Sequence, residues 1–241
     1  MAYRLLKGFA ALFRGRPYYH RRSTQGDALA AEFYEDLYAL NISPKLESAI
    51  DTKAKGLGPR NKTVSLKRMR RGDGTFGVLV ASDRAKTFTG YSIARGGVAT
   101  IDIGVEVKIL NKAMQKQIDR VVGDLEKQVK HWRRHNKTGN LISVAIIGIN
   151  HAGYTVGYEG PERAWRTDGK KYAHPIDEAP KVIERIKNDV IGPDIYDEVV
   201  VLNYQARNEA PFDFRWTDKG ATESAYQAIL MRVGTLYEAR S

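Results

Sequence analysis

Residues 141–150 (LISVAIIGIN) place the strongest constraint on the fold of this chain. They form an almost continuous apolar run with the length of one β-strand. A strand without alternating polar positions must be covered on both faces, as in a sheet with helices on either side. The sequence therefore predicts an α/β architecture with this strand inside the sheet.

After a first helix at 28–40, the predicted elements follow the order α, β, β, β, α, β, α, β, α. Helical periodicity and capping residues predict helices at 28–40, 43–55, 111–135, 175–190 and 222–240. Alternating or β-branched runs predict strands at 63–69, 75–81, 98–110, 141–150 and 198–204, with a turn at 71–74. Three successive strands and a helix that crosses to a buried strand indicate a mixed sheet flanked by helices, followed by a C-terminal α/β extension.

The length of 241 residues suits a single domain. We expect residues 27–241 to form it, and residues 1–26 to form a basic arm or short helix that packs on the domain or on a partner. The apolar stretch in this arm is too short for a secretion signal. No apolar run approaches the roughly 18 residues that span a bilayer. The expected location is therefore the cytoplasm, without membrane contact.

Composition narrows the possible chemistry. The chain has no cysteine, which excludes disulfides, thiolate zinc sites and thiol nucleophiles. Its net charge of +11 is unevenly distributed: residues 1–75 carry +8, residues 76–140 carry +6 and residues 141–241 carry −3. One electropositive half indicates a polyanionic partner, most simply nucleic acid, although a solvated basic surface would look the same.

Residues 100–110 (TIDIGVEVKIL) form the most informative predicted strand. Its odd-numbered positions are all β-branched, whereas the even-numbered positions are Asp102, Gly104, Glu106 and Lys108. Side chains alternate along a strand, so one face is predicted to join the core and the other to carry two carboxylates and an ammonium group. Such a face is either a solvated surface with a Glu–Lys pair or a catalytic surface.

The Glu106-Val107-Lys108 motif, with Asp102 upstream and a long helix downstream, resembles the PD-(D/E)xK restriction-endonuclease-like superfamily. The run Gly104–Lys108 is similar to the corresponding strand of the mismatch-repair nicking endonucleases of that fold. The resemblance covers about residues 43–150, and it implies the α-β-β-β-α-β core of the superfamily. It also implies an Mg²⁺- or Mn²⁺-dependent endonuclease that hydrolyses DNA, in restriction, antiviral defence or repair.

The resemblance implies specific roles for the residues of this strand. Asp102, Glu106 and Lys108 become the catalytic residues. Asp102, Glu106 and the carbonyl of Val107 become the metal ligands, and Lys108 orients or activates the attacking water. Hard oxygen ligands suit the divalent cation that phosphodiester hydrolysis requires.

The sequence does not decide which residue supplies the carboxylate that binds the metal together with Glu106. Four residues of regular strand separate Asp102 from Glu106 by about 13 Å, too far for two ligands of one ion. A bend at Gly104 would shorten this distance. Otherwise Asp83 or Glu47 supplies the carboxylate.

Several polar residues are candidates for substrate contact. Phosphate binding is predicted for Arg68, Arg70 and Arg71 at a hairpin tip and for Lys112 and Lys116 at the start of the long helix. Gln117 and Gln128 match a glutamine that some nuclease families place on this helix. The alternative interpretation for all seven residues is a solvated position on the protein surface.

The predicted partner is DNA, with a homodimer if both strands are cut. The N-terminal arm or the acidic C-terminal third would suit a protein partner. The alternative function is a non-catalytic nucleic-acid-binding or assembly protein with the same fold.

Overall fold

A computed structural model describes residues 3–20, 24–58, 72–81, 84–136, 139–158 and 164–240. Within these residues the helices are α1 (Arg4–Ala11), α2 (Thr24–Ala39), α3 (Pro44–Asp51), α4 (Met114–His135), α5 (Pro175–Ile186) and α6 (Lys219–Arg240). The strands are β1 (Lys55–Leu57), β2 (Gly74–Val78), β3 (Ile103–Leu110), β4 (Ile142–Asn150), β5 (Val156–Tyr158), β6 (Ala164–Arg166), β7 (Glu198–Ala206) and β8 (Phe214–Trp216). A π-helical turn, Lys187–Ile191, follows α5.

Six strands form one mixed sheet in the order β1-β2-β3-β4-β7-β8. The pairs β1–β2, β2–β3 and β7–β8 are antiparallel, whereas β3–β4 and β4–β7 are parallel. Helix α4 connects β3 to β4, and α5 connects β4 to β7, as parallel neighbours require. Strands β5 and β6 form a separate antiparallel ribbon. The predicted α/β class with a mixed sheet is confirmed.

Helices cover both faces of the sheet. One hydrophobic cluster joins Phe9 of α1, Phe33 of α2 and Tyr226 of α6 to β3 and β4. The other joins Trp132 of α4 and Val182 of α5 to the opposite face of β4. All nine residues of β4 are buried, which confirms the prediction from residues 141–150.

Element boundaries agree with the sequence where periodicity is strong. Helices α2, α4, α5 and α6 and strands β2, β4 and β7 lie within a few residues of their predicted positions. Ser43 caps α3 as expected, because its hydroxyl accepts a hydrogen bond from the Leu46 amide at 3.2 Å. The predicted extension of α3 to residue 55 is wrong. Lys53 has a φ of +55°, which ends the helix and directs the chain into β1.

The strand predicted at 98–110 begins only at Ile103. The strand predicted at 63–69 lies outside the described residues. Strand β2 instead pairs with β1 on one side and β3 on the other.

The N-terminal helix α1 is part of the core. Its residues Leu5 and Phe9 are fully buried. The carboxylate of Asp36 on α2 accepts hydrogen bonds from the backbone amides of Arg4 and Leu5, at 2.7 and 2.9 Å, and from the Tyr226 hydroxyl at 3.0 Å. Asp36 thus satisfies the free amides at the start of α1 and fixes that helix to α2 and α6.

Across the described residues, no helix combines the length and apolar character needed to cross a membrane.

Candidate active site

Glu106 and Lys108 form a close pair on β3. Their side chains point to the same face, because they are two residues apart on a strand, and Lys108 Nζ donates a hydrogen bond to Glu106 Oε1 at 2.6 Å. The Glu106 side chain is 7% exposed and that of Lys108 is 24% exposed. The pair therefore joins a buried carboxylate to an ammonium group that reaches solvent.

The face that carries this pair is covered by α4. Gly104, on the same face, has the ring of Trp132 directly above it: a Cβ there would lie 2.7 Å from a ring atom. The odd-numbered residues of β3 were predicted to join the core. This is confirmed for Ile103, Val105 and Val107, which are buried on the opposite face. The polar face is not an open surface, however, because α4 packs over part of it.

Asp73 is the second carboxylate of the site. In the β2–β3 register Gly74 is opposite Val105, so the preceding residue, Asp73, lies across from Glu106. Asp73 Oδ2 accepts a hydrogen bond from the Val107 backbone amide at 2.8 Å. The carboxylates thus come together through strand pairing, although they are far apart in sequence.

Negative charge on both Asp73 and Glu106 is unfavourable in the folded protein. Burial and the neighbouring Glu106 carboxylate raise the pKa of Asp73 to about 7, and Asp27 adds to the effect. The Val107 amide and the Lys108 ammonium oppose the increase in pKa but do not cancel it. Two carboxylates that repel each other at neutral pH are a typical place for a cation or a shared proton.

Glycines allow the surrounding backbone to approach these carboxylates. A Cβ on Gly26, in the first turn of α2, would overlap the Asp73 carboxylate. A Cβ on Gly72 would lie 2.6 Å from the Trp132 ring and 3.3 Å from Glu106 Oε2. The start of α2 and the chain before β2 therefore both pack directly against the site.

A cleft of about 770 Å³ opens beside the pair. Asp73, Val107 and Lys108 lie in its wall. Further polar lining residues are His20, Gln25, Gln117, Arg120 and Asp124. This volume is within the range of small-ligand sites, and the mixed charges suit a polar substrate.

Asp102 lies in a different environment from Glu106. Its carboxylate forms an ion pair with Lys55 Nζ at 2.7 Å and accepts a hydrogen bond from the Thr100 hydroxyl at 2.9 Å. Lys55 in turn donates to the Tyr237 hydroxyl at 2.7 Å, so Asp102 belongs to a structural network with α6. The regular strand starts after Asp102, and no described contact joins its carboxylate to Glu106.

Two other carboxylates were considered for this role, Glu47 and Asp83. Glu47 lies in the first turn of α3. Asp83 falls outside the described residues.

The predicted phosphate-binding residues separate into three groups. Arg68, Arg70 and Arg71 lie outside the described part of the chain. Lys112 is only 5% exposed, and its Nζ lies 3.2 Å from the centre of the Trp165 ring on β6. Lys116 is exposed on α4.

Gln117 and Gln128, the two glutamines of α4 singled out from the sequence, both lie near the site. Gln128 is 1% exposed, and its amide nitrogen would lie 3.1 Å from a Cβ on Gly72, the residue before Asp73. Gln117 lines the cleft and donates a hydrogen bond to the Lys112 carbonyl at 2.7 Å. Gln128 thus packs beside Gly72, whereas Gln117 lines the cleft.

Asp73 is the residue that sequence reasoning missed. Its tetrapeptide, residues 71–74, contains two glycines and therefore indicates a turn. The signal that could have identified it is a Gly-Asp-Gly directly before a strand that pairs antiparallel with the Glu-x-Lys strand. The register between the two strands is needed to show that this Asp lies across from Glu106.

The donor atoms of the site fit a hard divalent cation. Asp73 and Glu106 supply carboxylate oxygens, and a cation between them would relieve the repulsion that raises the pKa of Asp73. In the described part of the chain, no three His, Asp or Glu side chains form a group that could hold a metal. Further ligands would therefore come from backbone carbonyls, water or substrate, as is common for Mg²⁺.

No protein-family model matches this chain, and no curated protein matches it significantly.

Proposed function

We propose that this chain is a metal-dependent nuclease that hydrolyses phosphodiester bonds with Asp73, Glu106 and Lys108. The observation that carries the proposal is the position of Asp73 across from Glu106, with Lys108 bonded to Glu106 at 2.6 Å. Two carboxylates and a lysine in one partly open site are the group that the resemblance to the PD-(D/E)xK superfamily predicts. Asp73 takes the role that sequence reasoning gave to Asp102.

The topology around the site supports the same interpretation. A helix, three antiparallel strands, a crossover helix and a parallel strand follow one another as α3, β1, β2, β3, α4 and β4. This order resembles the α-β-β-β-α-β core of the superfamily. The first carboxylate then lies at the start of the second strand and the Glu-x-Lys motif on the third.

Each residue of the site has a distinct role in the proposal. Asp73 and Glu106 would hold the divalent cation together with the Val107 carbonyl, whose residue already faces Asp73 through its amide. The bound cation supplies charge compensation and Lewis-acid polarisation of a phosphate oxygen. Lys108 orients a water molecule and stabilises the negative charge that develops on the phosphate.

The charge distribution supports nucleic acid as the substrate. The chain has a net charge of +11, and its first 140 residues, which include Asp73, Glu106 and Lys108, carry the excess. Such a charge attracts a polyanion over a long range. The preference for DNA, the role in restriction, defence or repair, and a homodimer that cuts both strands all follow from the resemblance.

The deciding experiment is cleavage of supercoiled plasmid with Mg²⁺ or Mn²⁺. We expect wild-type protein to nick or linearise the plasmid, and EDTA, Asp73→Asn, Glu106→Gln and Lys108→Ala each to reduce the rate by about 100-fold or more. Asp102→Asn is the informative comparison, because Asp102 lies in the network with Lys55. We expect this variant to retain cleavage. A thermal denaturation measurement confirms that it is folded.

Two results would contradict the proposal. If Asp102→Asn abolishes cleavage while Asp73→Asn does not, the first carboxylate has been assigned wrongly. If wild-type protein binds DNA without cutting it, and Glu106→Gln leaves binding unchanged, the chain is a non-catalytic nucleic-acid-binding protein.

A further inference from the structure

A second cavity, of about 500 Å³, adjoins Asp73 and is not used by the catalytic proposal. It lies between the first half of α2, the β1–β2 pair and residues 84–96, which belong to the connection between β2 and β3. Its charged lining residues are Asp27, Asp73, Arg84, Lys86 and Arg95. Three cationic side chains thus share a cavity with the catalytic carboxylate.

Arg95 is the central feature of this cavity. Its backbone forms a two-way hydrogen-bonded bridge with Lys86, at 2.8 and 2.9 Å, which holds the two residues side by side. Its guanidinium carbon lies 4.4 Å from the centre of the Tyr91 ring and 5.3 Å from that of Phe88. The guanidinium group therefore packs against both aromatic rings.

Two nitrogen atoms of this guanidinium group have unused hydrogen-bonding capacity. Nε and Nη2 of Arg95 are buried and have no hydrogen-bond partner among the described residues. Buried donors without acceptors are unfavourable, so a site that contains them is suited to a ligand that supplies acceptors. A phosphate group supplies several in the fork-shaped arrangement that arginine favours.

Phe88 gives the cavity an aromatic edge. It lines the cavity and is 51% exposed, an unusual position for a large apolar side chain next to three cations. An exposed ring beside cationic groups is the usual arrangement for binding a nucleotide: the ring stacks on the base and the cations hold the phosphate. The volume is sufficient for one nucleotide.

We propose that this cavity is a nucleotide subsite, in which Arg95, Lys86 and Arg84 bind a phosphate and Phe88 stacks on the attached base. The subsite deepens the proposed nuclease function and rests on it, because Asp73 borders both the cavity and the cleft. The sugar-phosphate backbone of a nucleic-acid strand bound in this subsite runs past Asp73. The cavity then positions the nucleotide next to the bond that is cut.

The test measures binding without catalysis. Fluorescein-labelled hexathymidylate is titrated with full-length protein in EDTA, and fluorescence anisotropy gives the dissociation constant. We expect Phe88→Ala and Lys86→Ala each to weaken binding by about 5- to 10-fold, and Arg95→Met to weaken it by more than about 10-fold. Phe88 and Lys86 are exposed, so their replacement leaves the fold intact.

Two matched controls separate the subsite from general effects. Met231→Ala removes an apolar side chain that is also 51% exposed, but on α6. Lys181→Ala removes one exposed positive charge on α5. Both controls should bind hexathymidylate as wild-type protein does.

Competition identifies the ligand chemistry. Thymidine 5′-monophosphate should displace the labelled strand at a lower concentration than either thymidine or inorganic phosphate, because only the nucleotide occupies both parts of the subsite. Equal competition by thymidine, unchanged binding in Phe88→Ala and Lys86→Ala, or no binding by wild-type protein would each overturn the inference. Loss of cleavage in Glu106→Gln with unchanged binding in the cavity variants would overturn the subsite alone and leave the nuclease proposal standing.

Discussion

The Asp73 carboxylate accepts a hydrogen bond from the Val107 backbone amide at 2.8 Å, across 34 residues of sequence. This contact joins the residue just before β2 to the middle of β3 and holds the carboxylate next to Glu106. It also places one buried carboxylate beside another, which affects stability and bears on the proposed metal binding.

The first prediction concerns pH and stability. The pKa of Asp73 is raised to about 7 in the folded protein, so between about pH 4 and pH 7 the folded state binds more protons than the unfolded state. The free energy of unfolding therefore falls as the pH rises through this window. Asp73→Asn removes the titrating group. We expect its stability relative to wild type to increase by about 2–4 kcal/mol from pH 4 to pH 8.

Urea denaturation at both pH values in EDTA measures this difference. The control is Asp189→Asn, whose carboxylate is paired with Arg185 on the surface. This variant should follow the wild-type pH dependence. Parallel pH profiles for wild type and Asp73→Asn would mean that the pKa of Asp73 is not raised.

The second prediction concerns divalent cations. Because metal ligands must be deprotonated, Mg²⁺ should stabilise the protein more at pH 8 than at pH 5.5. At ten times its dissociation constant, Mg²⁺ should raise the Tm at pH 8 by about 3–5 °C. Glu106→Gln should abolish the shift in Tm. Glu126→Gln is the control, because Glu126 is paired with Lys130 on the surface of α4, and it should retain the shift. An equal shift in all three proteins would indicate a general salt effect.

The third prediction concerns the packing of α4 on β3. Gly104→Ala forces a methyl group against Trp132 and should destabilise the protein by about 2 kcal/mol. Gly123→Ala is the matched change, because a Cβ at that position of α4 meets no atom within 4 Å. It should stabilise the protein by about 0.5–1 kcal/mol. Chemical denaturation distinguishes the two, and similar effects from both would contradict the packing of Trp132 over the strand.

The fourth prediction concerns the attachment of α1. Asp36→Ala removes the acceptor for the Arg4 and Leu5 amides and for the Tyr226 hydroxyl, and it should cost about 3 kcal/mol. Asp51→Ala, which removes one exposed hydrogen bond to Tyr38, should cost less than about 1 kcal/mol. Limited proteolysis of Asp36→Ala should also cut first near α1. Equal stability of the two variants would show that α1 is held by other contacts.

Local patterns predicted the long elements well. The apolar stripe of α4 and the continuous apolar run of β4 each identify their element without reference to the rest of the chain. Strand β1 has three residues, too few to show a period, and its sequence follows a helix directly. Its position depends on pairing with β2, and residues 55–57 alone do not indicate that pairing.

The same distinction explains the candidate site. Glu106 and Lys108 are two residues apart on one strand, so their proximity follows from the strand period alone. Asp73 reaches them only through the register of β2 on β3, and a shift of one residue would turn it to the opposite face. Asp102 is nearer in sequence but lies before the regular strand, where Lys55 binds it.

The pairing of Gly74 with Val105 makes the distance between the two carboxylates independent of the chain that joins their strands. That connection carries Arg84, Lys86, Phe88 and Arg95, the residues of the second cavity. In the proposed nuclease, insertions or substitutions there would alter which nucleic-acid strands bind, while leaving Asp73 and Glu106 in place. Under the proposed nuclease function, substrate preference and bond cleavage are therefore separable targets for selection and for engineering.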